Sequence, residues 1–266
     1  MVITITGTND SGEINSDTIS IKEDVTLFGN VLDNDVPDPD FNEPLEVFSF
    51  TVDSDGDGVQ DSYTAGDTVT ITTSWGTIGT LTLNADGSYE FIPHPNYSGP
   101  VPPITYNAGN STFSDNGTLN ITVDPVSDKP TVTVDSASIT TDEDTSVALG
   151  LKMPLSTDNV DQNGPGVNGD NPELLGAITL SGIPAGAQLL DGTNSNALLW
   201  TSSGGSVTIV LTDQTDYHIN GASGTLYMTK AQYEALQVLP PADSGVNFSV
   251  TVSVTSYEVD NSGNPL

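Results

Sequence analysis

The sequence predicts an all-β protein of two tandem β-sandwich domains in an extended arrangement. Three observations carry that expectation. Short segments rich in Thr, Val and Ile alternate apolar with polar residues, the pattern of half-buried strands. Clusters of Gly, Pro, Asn and Asp separate these segments at the spacing of turns. An internal repeat divides the 266 residues into two modules.

The repeat sets the boundaries. Ile3-Thr4-Ile5-Thr6-Gly7-Thr8-Asn9-Asp10 returns 118 positions later as Ile121-Thr122-Val123-Asp124-Pro125-Val126-Ser127-Asp128. Ile19-Ser20-Ile21-Lys22-Glu23-Asp24-Val25-Thr26-Leu27 returns 120 positions later as Ile139-Thr140-Thr141-Asp142-Glu143-Asp144-Thr145-Ser146-Val147. Each module therefore opens with a strand, an acidic pair and a second strand. Residues 1–10 are expected to be the last strand of a preceding module or a linker, residues 11–128 the first sandwich, and residues 129–266 the second. No third copy of the closing strand precedes Leu266, so the second sandwich is expected to lack its final strand, through truncation rather than a different build. A start methionine directly on a strand reads as an excised piece of a longer chain.

Individual elements follow from local pattern. Leu81, Leu83, Tyr89 and Phe91 alternate on either side of Asn84-Ala85-Asp86-Gly87, a hairpin signal. Val69–Ile71, Leu119–Val123, Ala177–Leu180, Val207–Leu211 and Phe248–Val254 read as further strands. One helix is expected, over Lys230–Gln237 ahead of Pro240-Pro241. Such strings of short strands and turns build sandwiches.

Charge narrows the function classes. Thirty-six acidic residues stand against four lysines, for a formal charge of −32 and no arginine. A chain this negative repels polyphosphates and anionic surfaces, so nucleic acid is excluded as a partner and cations are favoured. Solvated acidic surface accounts for scattered carboxylates; metal binding accounts better for those gathered at turns. The absence of cysteine removes disulfides and thiolate metal sites, leaving bound ions as a source of rigidity. No apolar run is long enough for a membrane-spanning helix, and no membrane insertion is expected.

The sharpest motif is Asp53-Ser54-Asp55-Gly56-Asp57-Gly58-Val59-Gln60-Asp61. Oxygen donors at alternate positions wrap one hard cation, glycine allows the sharp turn, and the Val59 carbonyl supplies a further ligand. The spacing follows an EF-hand loop through Asp61, but Thr64 replaces the usual final glutamate and no helices flank it, so Asp67 is a candidate to complete the shell. Ca2+ is the expected ion. A second cluster, Asp33, Asp35, Asp38 and Asp40, reads equally as a calcium site or as an ion-free turn stiffened by Pro37 and Pro39. A third set, Asp10, Asp124, Asp128, Glu23, Asp24, Asp142, Glu143 and Asp144, lies at expected module junctions, where carboxylates from successive modules share ions. Asp158 and Asp161 belong to a long polar loop open to two readings, ion binding or mobility.

Catalysis finds no support in the sequence. No nucleophile elbow, phosphate loop or dinucleotide fingerprint occurs, and His94 and His218 lack the spacing of a zinc site. Trp200 is expected in the core; Trp75 is the more open to a binding role.

The first module resembles the bacterial cadherin-like, VCBS-type repeats. The resemblance rests on residues 3–10, on Gly29-Asn30-Val31-Leu32-Asp33-Asn34-Asp35, on Gly79 through Pro93, and on Asn96-Tyr97-Ser98-Gly99 with Ile104-Thr105-Tyr106. The second is similar to repeats of giant RTX adhesins, through Leu180–Ala187 and Val238–Ser244. The resemblance implies Ig-like or cadherin-like sandwiches, secretion to the bacterial cell surface, calcium stiffening, and a non-enzymatic extender that holds a distal binding tip away from the cell. Adjacent modules of the same chain are then the partners, the unit is a monomer, and any host or surface glycan or protein is bound elsewhere on the parent. A glycan- or protein-binding module of the same adhesin is the alternative.

Overall fold

A computed structural model describes residues 1–3, 11–38, 43–74, 76–156, 173–213 and 225–259. They divide into two compact units, the first running to Val126 and the second starting at Ser127.

The first unit contains β1 (Asp17–Lys22), β2 (Leu27–Asn30), β3 (Glu46–Val52), β4 (Asp61–Thr64), β5 (Thr68–Thr72), β6 (Thr77–Leu83), β7 (Ser88–Pro93), β8 (Gly99–Pro100), β9 (Ile104–Gly109) and β10 (Ser114–Asp124). It is an Ig-like β-sandwich. One sheet runs β1-β10-β9-β3-β4, with β8 also on β10; the other runs β2-β7-β6-β5. Every pairing is antiparallel except β1 with β10, which lie parallel with Ile19 beside Ile121 and Lys22 beside Asp124. The alternation seen in sequence faces inward from both sheets: Phe50, Tyr106, Leu119, Ile121 and Val123 from one meet Val69, Ile71, Leu81, Leu83 and Phe91 from the other. Burying a side chain of this size stabilises by about 1.5–3 kcal/mol each. The Asn84–Gly87 turn joins β6 to β7 as expected, with Gly87 at φ 82°.

The second unit contains β11 (Val147–Ala148), β12 (Leu174–Leu175), β13 (Ile178–Ile183), β14 (Gln188–Asp191), β15 (Ala197–Thr201), β16 (Gly205–Leu211), β17 (Thr225–Met228), α1 (Lys230–Glu234), β18 (Leu236–Leu239), β19 (Thr251–Ser253) and β20 (Ser256–Tyr257). Sheets β11-β18-β14-β15 and β17-β16-β13-β19 contribute to one core, and β12 pairs with β20. Trp200 is half-buried against that core.

Three local expectations change. The helix begins at Lys230 under a capping box of Thr229 and Gln232, but it ends at Glu234 rather than Gln237. Leu236 and Val238 alternate into the core as β18 and pair with β14, so sheet formation ends the helix. Residues 139–141, repeat partners of β1, join no ladder, and the 248–254 strand is reduced to Thr251–Ser253. A segment with strand pattern becomes a strand only where a neighbouring backbone accepts its hydrogen bonds.

Candidate metal centre

β3 and β4 form an antiparallel hairpin whose last register pair is Val52 with Asp61, so residues 53–60 are its loop. The acidic motif therefore sits on a β-hairpin, as its lack of flanking helices implied. Backbone N–H groups arrange the carboxylates. Asp53 accepts from Gly56 through Oδ1 (2.8 Å) and from Gly58 through Oδ2 (3.0 Å). Asp55 accepts from Asp57 N (3.2 Å), and Asp57 from Val59 N (2.7 Å). Gly56 and Gly58 hold φ of 74° and 85°, a left-handed geometry that glycine adopts at no steric cost.

Among the described residues, this gathers one acidic triad. One carboxylate oxygen from each of Asp53, Asp55 and Asp57 lies within 4.8 Å of the others, with Asp55 and Asp57 exposed and Asp53 half-buried. An all-oxygen, multiply charged and solvent-accessible set suits calcium, which accepts many oxygen ligands in loose geometry. Asp53, Asp55 and Asp57 are the residues that would hold it. Val59 is exposed beside them. Asp61 is positioned differently: its Oδ2 accepts the buried Ser54 hydroxyl (2.5 Å), which also lies 2.7 Å from the Tyr63 hydroxyl. Asp67 stands in the turn at the far end of β4, where it accepts Thr64 N (2.8 Å), so it closes that turn and not the metal loop.

The second cluster is drawn into the fold rather than gathered. Asp35 accepts Asn15 N at 2.6 Å, Asp38 is buried and accepts the Thr112 hydroxyl (3.0 Å), and Asp33 is exposed. Asp17, absent from the sequence-based set, joins them. Burial raises the Asp17 carboxyl above its usual range; the Tyr106 hydroxyl opposes this, and Asp35 and Asp33 add repulsion. Burial likewise raises Asp35, against the Asn15 hydrogen bond. The Tyr106 hydroxyl lies 2.7 Å from Asn15 O, 3.1 Å from Asp17 Oδ2 and 3.2 Å from Val31 O. Nothing in the pattern Asn15-Ser16-Asp17 signals this role; it arises when β9 carries Tyr106 beneath β1.

The junction carboxylates separate into distinct environments. Glu23 is 7% exposed and accepts Val126 N. Asp24 accepts Asn96 N (3.1 Å), and Asp124 is exposed, its carbonyl taking Glu23 N (3.0 Å). In the second unit Asp142, Glu143 and Asp144 are exposed, and Asp144 accepts Asp243 N (3.2 Å). Asp128 is half-buried and donates its N–H to Glu173. Glu173, 2% exposed, also accepts the Ser156 hydroxyl (2.7 Å), and Glu258, 6% exposed, takes its own N–H to Ser127 Oγ (3.2 Å). Neither glutamate belonged to the sequence-based set: Glu173 precedes Leu174-Leu175, and Glu258 lies between Tyr257 and Val259. Asp10, Asp40, Asp158, Asp161, Trp75 and His218 lie outside the described residues.

No protein-family model matches the chain. No curated protein matches it either. Among solved structures it is similar to the N-terminal four Ig domains of Dscam1 isoform 1.9, at 10% identity and a TM-score of 0.30, over 92% of this chain and 51% of that one. It is also similar to murine CEACAM1b, at 13% identity and a TM-score of 0.21, over 92% of each chain. The chain thus spans about half the length of the Dscam1 fragment. At these scores the likeness adds nothing to what the sheets themselves establish.

Proposed function

We propose that this chain is a calcium-stiffened, non-enzymatic extender segment of a large secreted bacterial surface adhesin, built from cadherin-like modules that hold a distal binding tip away from the cell. The observation that carries this reading is the Asp53, Asp55 and Asp57 triad, fixed by backbone N–H groups at the tip of a β-hairpin. Two properties of the chain support it. A net charge of −32 makes the folded state self-repelling, and the absence of cysteine leaves cations as the available cross-link. A ligand that binds the folded state in preference to the unfolded chain raises the melting temperature with its concentration. Adhesion, secretion and the extender role are proposed from the sequence resemblance of residues 3–106 to cadherin-like repeats.

Differential scanning calorimetry in EDTA and in millimolar calcium tests the calcium part of the reading. The first unit is expected to melt several degrees higher in calcium, with magnesium at equal ionic strength giving a smaller shift. Identical melting in EDTA and calcium would sink it.

A further inference from the structure

A hollow in the first unit lies at the end of β3 away from the acidic loop. The ladder between β3 and β9 shifts register at Phe48, since Val47 pairs with Ala108 and Ser49 with Asn107. Phe48 is the extra residue of this β-bulge, a device that re-aims side chains. Val47 and Phe50 turn into the core at 2% and 1% exposure, whereas Phe48 stays 40% exposed. With Pro44 it forms the apolar wall of a hollow of about 340 Å³, completed by Glu43, Glu46, Asn110 and Ser111. That volume falls at the small end of the range for small-ligand sites.

Polar groups from two segments converge on it. Glu46 is exposed and pairs with Gly109, which places it beside the turn that starts at Asn110. Glu43 is held to that turn, its Oε2 accepting the Ser111 hydroxyl (2.5 Å) and Ser111 N (3.3 Å). Asn110 is fixed through Oδ1, which accepts Thr112 N (2.9 Å), the Thr112 hydroxyl (2.6 Å) and Phe113 N (3.4 Å). Its Nδ2 therefore has a set direction, yet that atom is buried with no acceptor among the described residues. A buried donor left unmet is costly, so a ligand oxygen that accepts from it is favoured.

We propose that this hollow binds one hexose unit of an uncharged glycan. Each part of the lining matches one property of that ligand. The Glu43 and Glu46 carboxylates accept from sugar hydroxyls, Asn110 Nδ2 donates to a further hydroxyl, and the C–H face of the sugar lies on Phe48 and Pro44. The unmet donor decides against a simpler ligand. An alkylammonium would suit two carboxylates and an aromatic ring, but it has no lone pair to offer Asn110. A hydroxyl both donates and accepts. Charge excludes acidic sugars, because two glutamates line the hollow in a chain of net charge −32. This binding is additional to the extender role and separate from calcium. The acidic loop follows Val52 at the other end of β3, about 20 Å from Glu46 at the rise of a strand.

NMR on the full chain tests it, with a panel of neutral methyl hexopyranosides titrated in EDTA and again in calcium. At least one hexoside is expected to bind alike in both buffers and to move the Asn110 side-chain N–H signals downfield. Phe48→Ala is expected to weaken that binding roughly tenfold, and the isosteric Glu46→Gln roughly threefold, each with the amide spectrum of a folded first unit. No response to any hexoside overturns the site and leaves the calcium reading standing. Binding of glucuronate or butylammonium in preference to every neutral hexoside overturns the ligand class. Hexoside binding that survives both substitutions, or that occurs only in calcium, overturns the location.

Discussion

The Asp24 carboxylate accepts the backbone N–H of Asn96 at 3.1 Å, across 72 positions of sequence. Asp144 repeats the arrangement on Asp243 at 3.2 Å. All four residues adopt left-handed backbone, with φ of 58°, 61°, 56° and 57°. Asn and Asp tolerate that region better than other residues with a Cβ. Both donating loops continue into Ser-Gly, at Ser98-Gly99 and Ser244-Gly245. The second acid of each repeated Glu-Asp pair is therefore a clasp that closes one end of its own sandwich.

Replacing that clasp has a defined cost. Asp24→Ala is expected to destabilise the first unit by about 1–3 kcal/mol, combining a lost charge-assisted hydrogen bond with left-handed strain. Asp24→Asn keeps an acceptor and the backbone preference, and retains most of the stability. Asp144→Ala acts in the same way on the second unit alone. Urea unfolding of each variant reads the difference.

The metal loop is expected to reverse sign with calcium. Three carboxylates with oxygens within 4.8 Å repel one another in metal-free buffer, by about 1 kcal/mol per pair at the dielectric of water. D55N/D57N should therefore raise the first unit's melting temperature in EDTA and lose at least half of its rise in calcium. Calorimetry in both buffers checks the crossing.

Two aspartates are expected to give opposite pH dependence. The Thr193 hydroxyl, then the Gln232 amide, hold Asp191 below the usual carboxylate range, so its folded form binds a proton more weakly than the unfolded chain. Its stabilisation is complete above the unfolded value near about 3.9 and is lost as pH falls through the lower folded value. Asp35 is raised by burial, so it weakens the first unit at neutral pH, and that penalty fades as pH falls from its folded value toward the unfolded one. In metal-free buffer at neutral pH, Asp35→Asn should raise the first unit's melting temperature and Asp191→Asn should lower the second's. Asp191→Asn should also flatten the acid limb of unfolding below about pH 4.

Tyr106 and Gly117 face each other across β9 and β10, and a Cβ on Gly117 would sit 2.3 Å from the Tyr106 ring. Gly117→Ala is expected to destabilise the first unit by about 1–3 kcal/mol through overpacking. Tyr106→Phe removes the hydroxyl that reaches Asn15 and Asp17, and is expected to lose about 1–2 kcal/mol while raising the Asp17 carboxyl further. Thermal unfolding and carboxyl titration by NMR measure the two effects.

The sequence by itself determined whatever depends on near neighbours. Alternation marked Leu119–Val123 and Val207–Leu211 as strands, the Asn84–Gly87 turn joined β6 to β7, and nine residues sufficed for the acidic loop, because its hydrogen bonds span only two to five positions. Tertiary structure decided whatever depends on a distant partner. Asp24 reaches Asn96 and Glu173 is buried under the N–H of Asp128, with nothing local to signal either. The repeat gave residues 137–142 the pattern of β1, yet they form no ladder, because a strand needs a second backbone beside it and the described residues of that unit provide none.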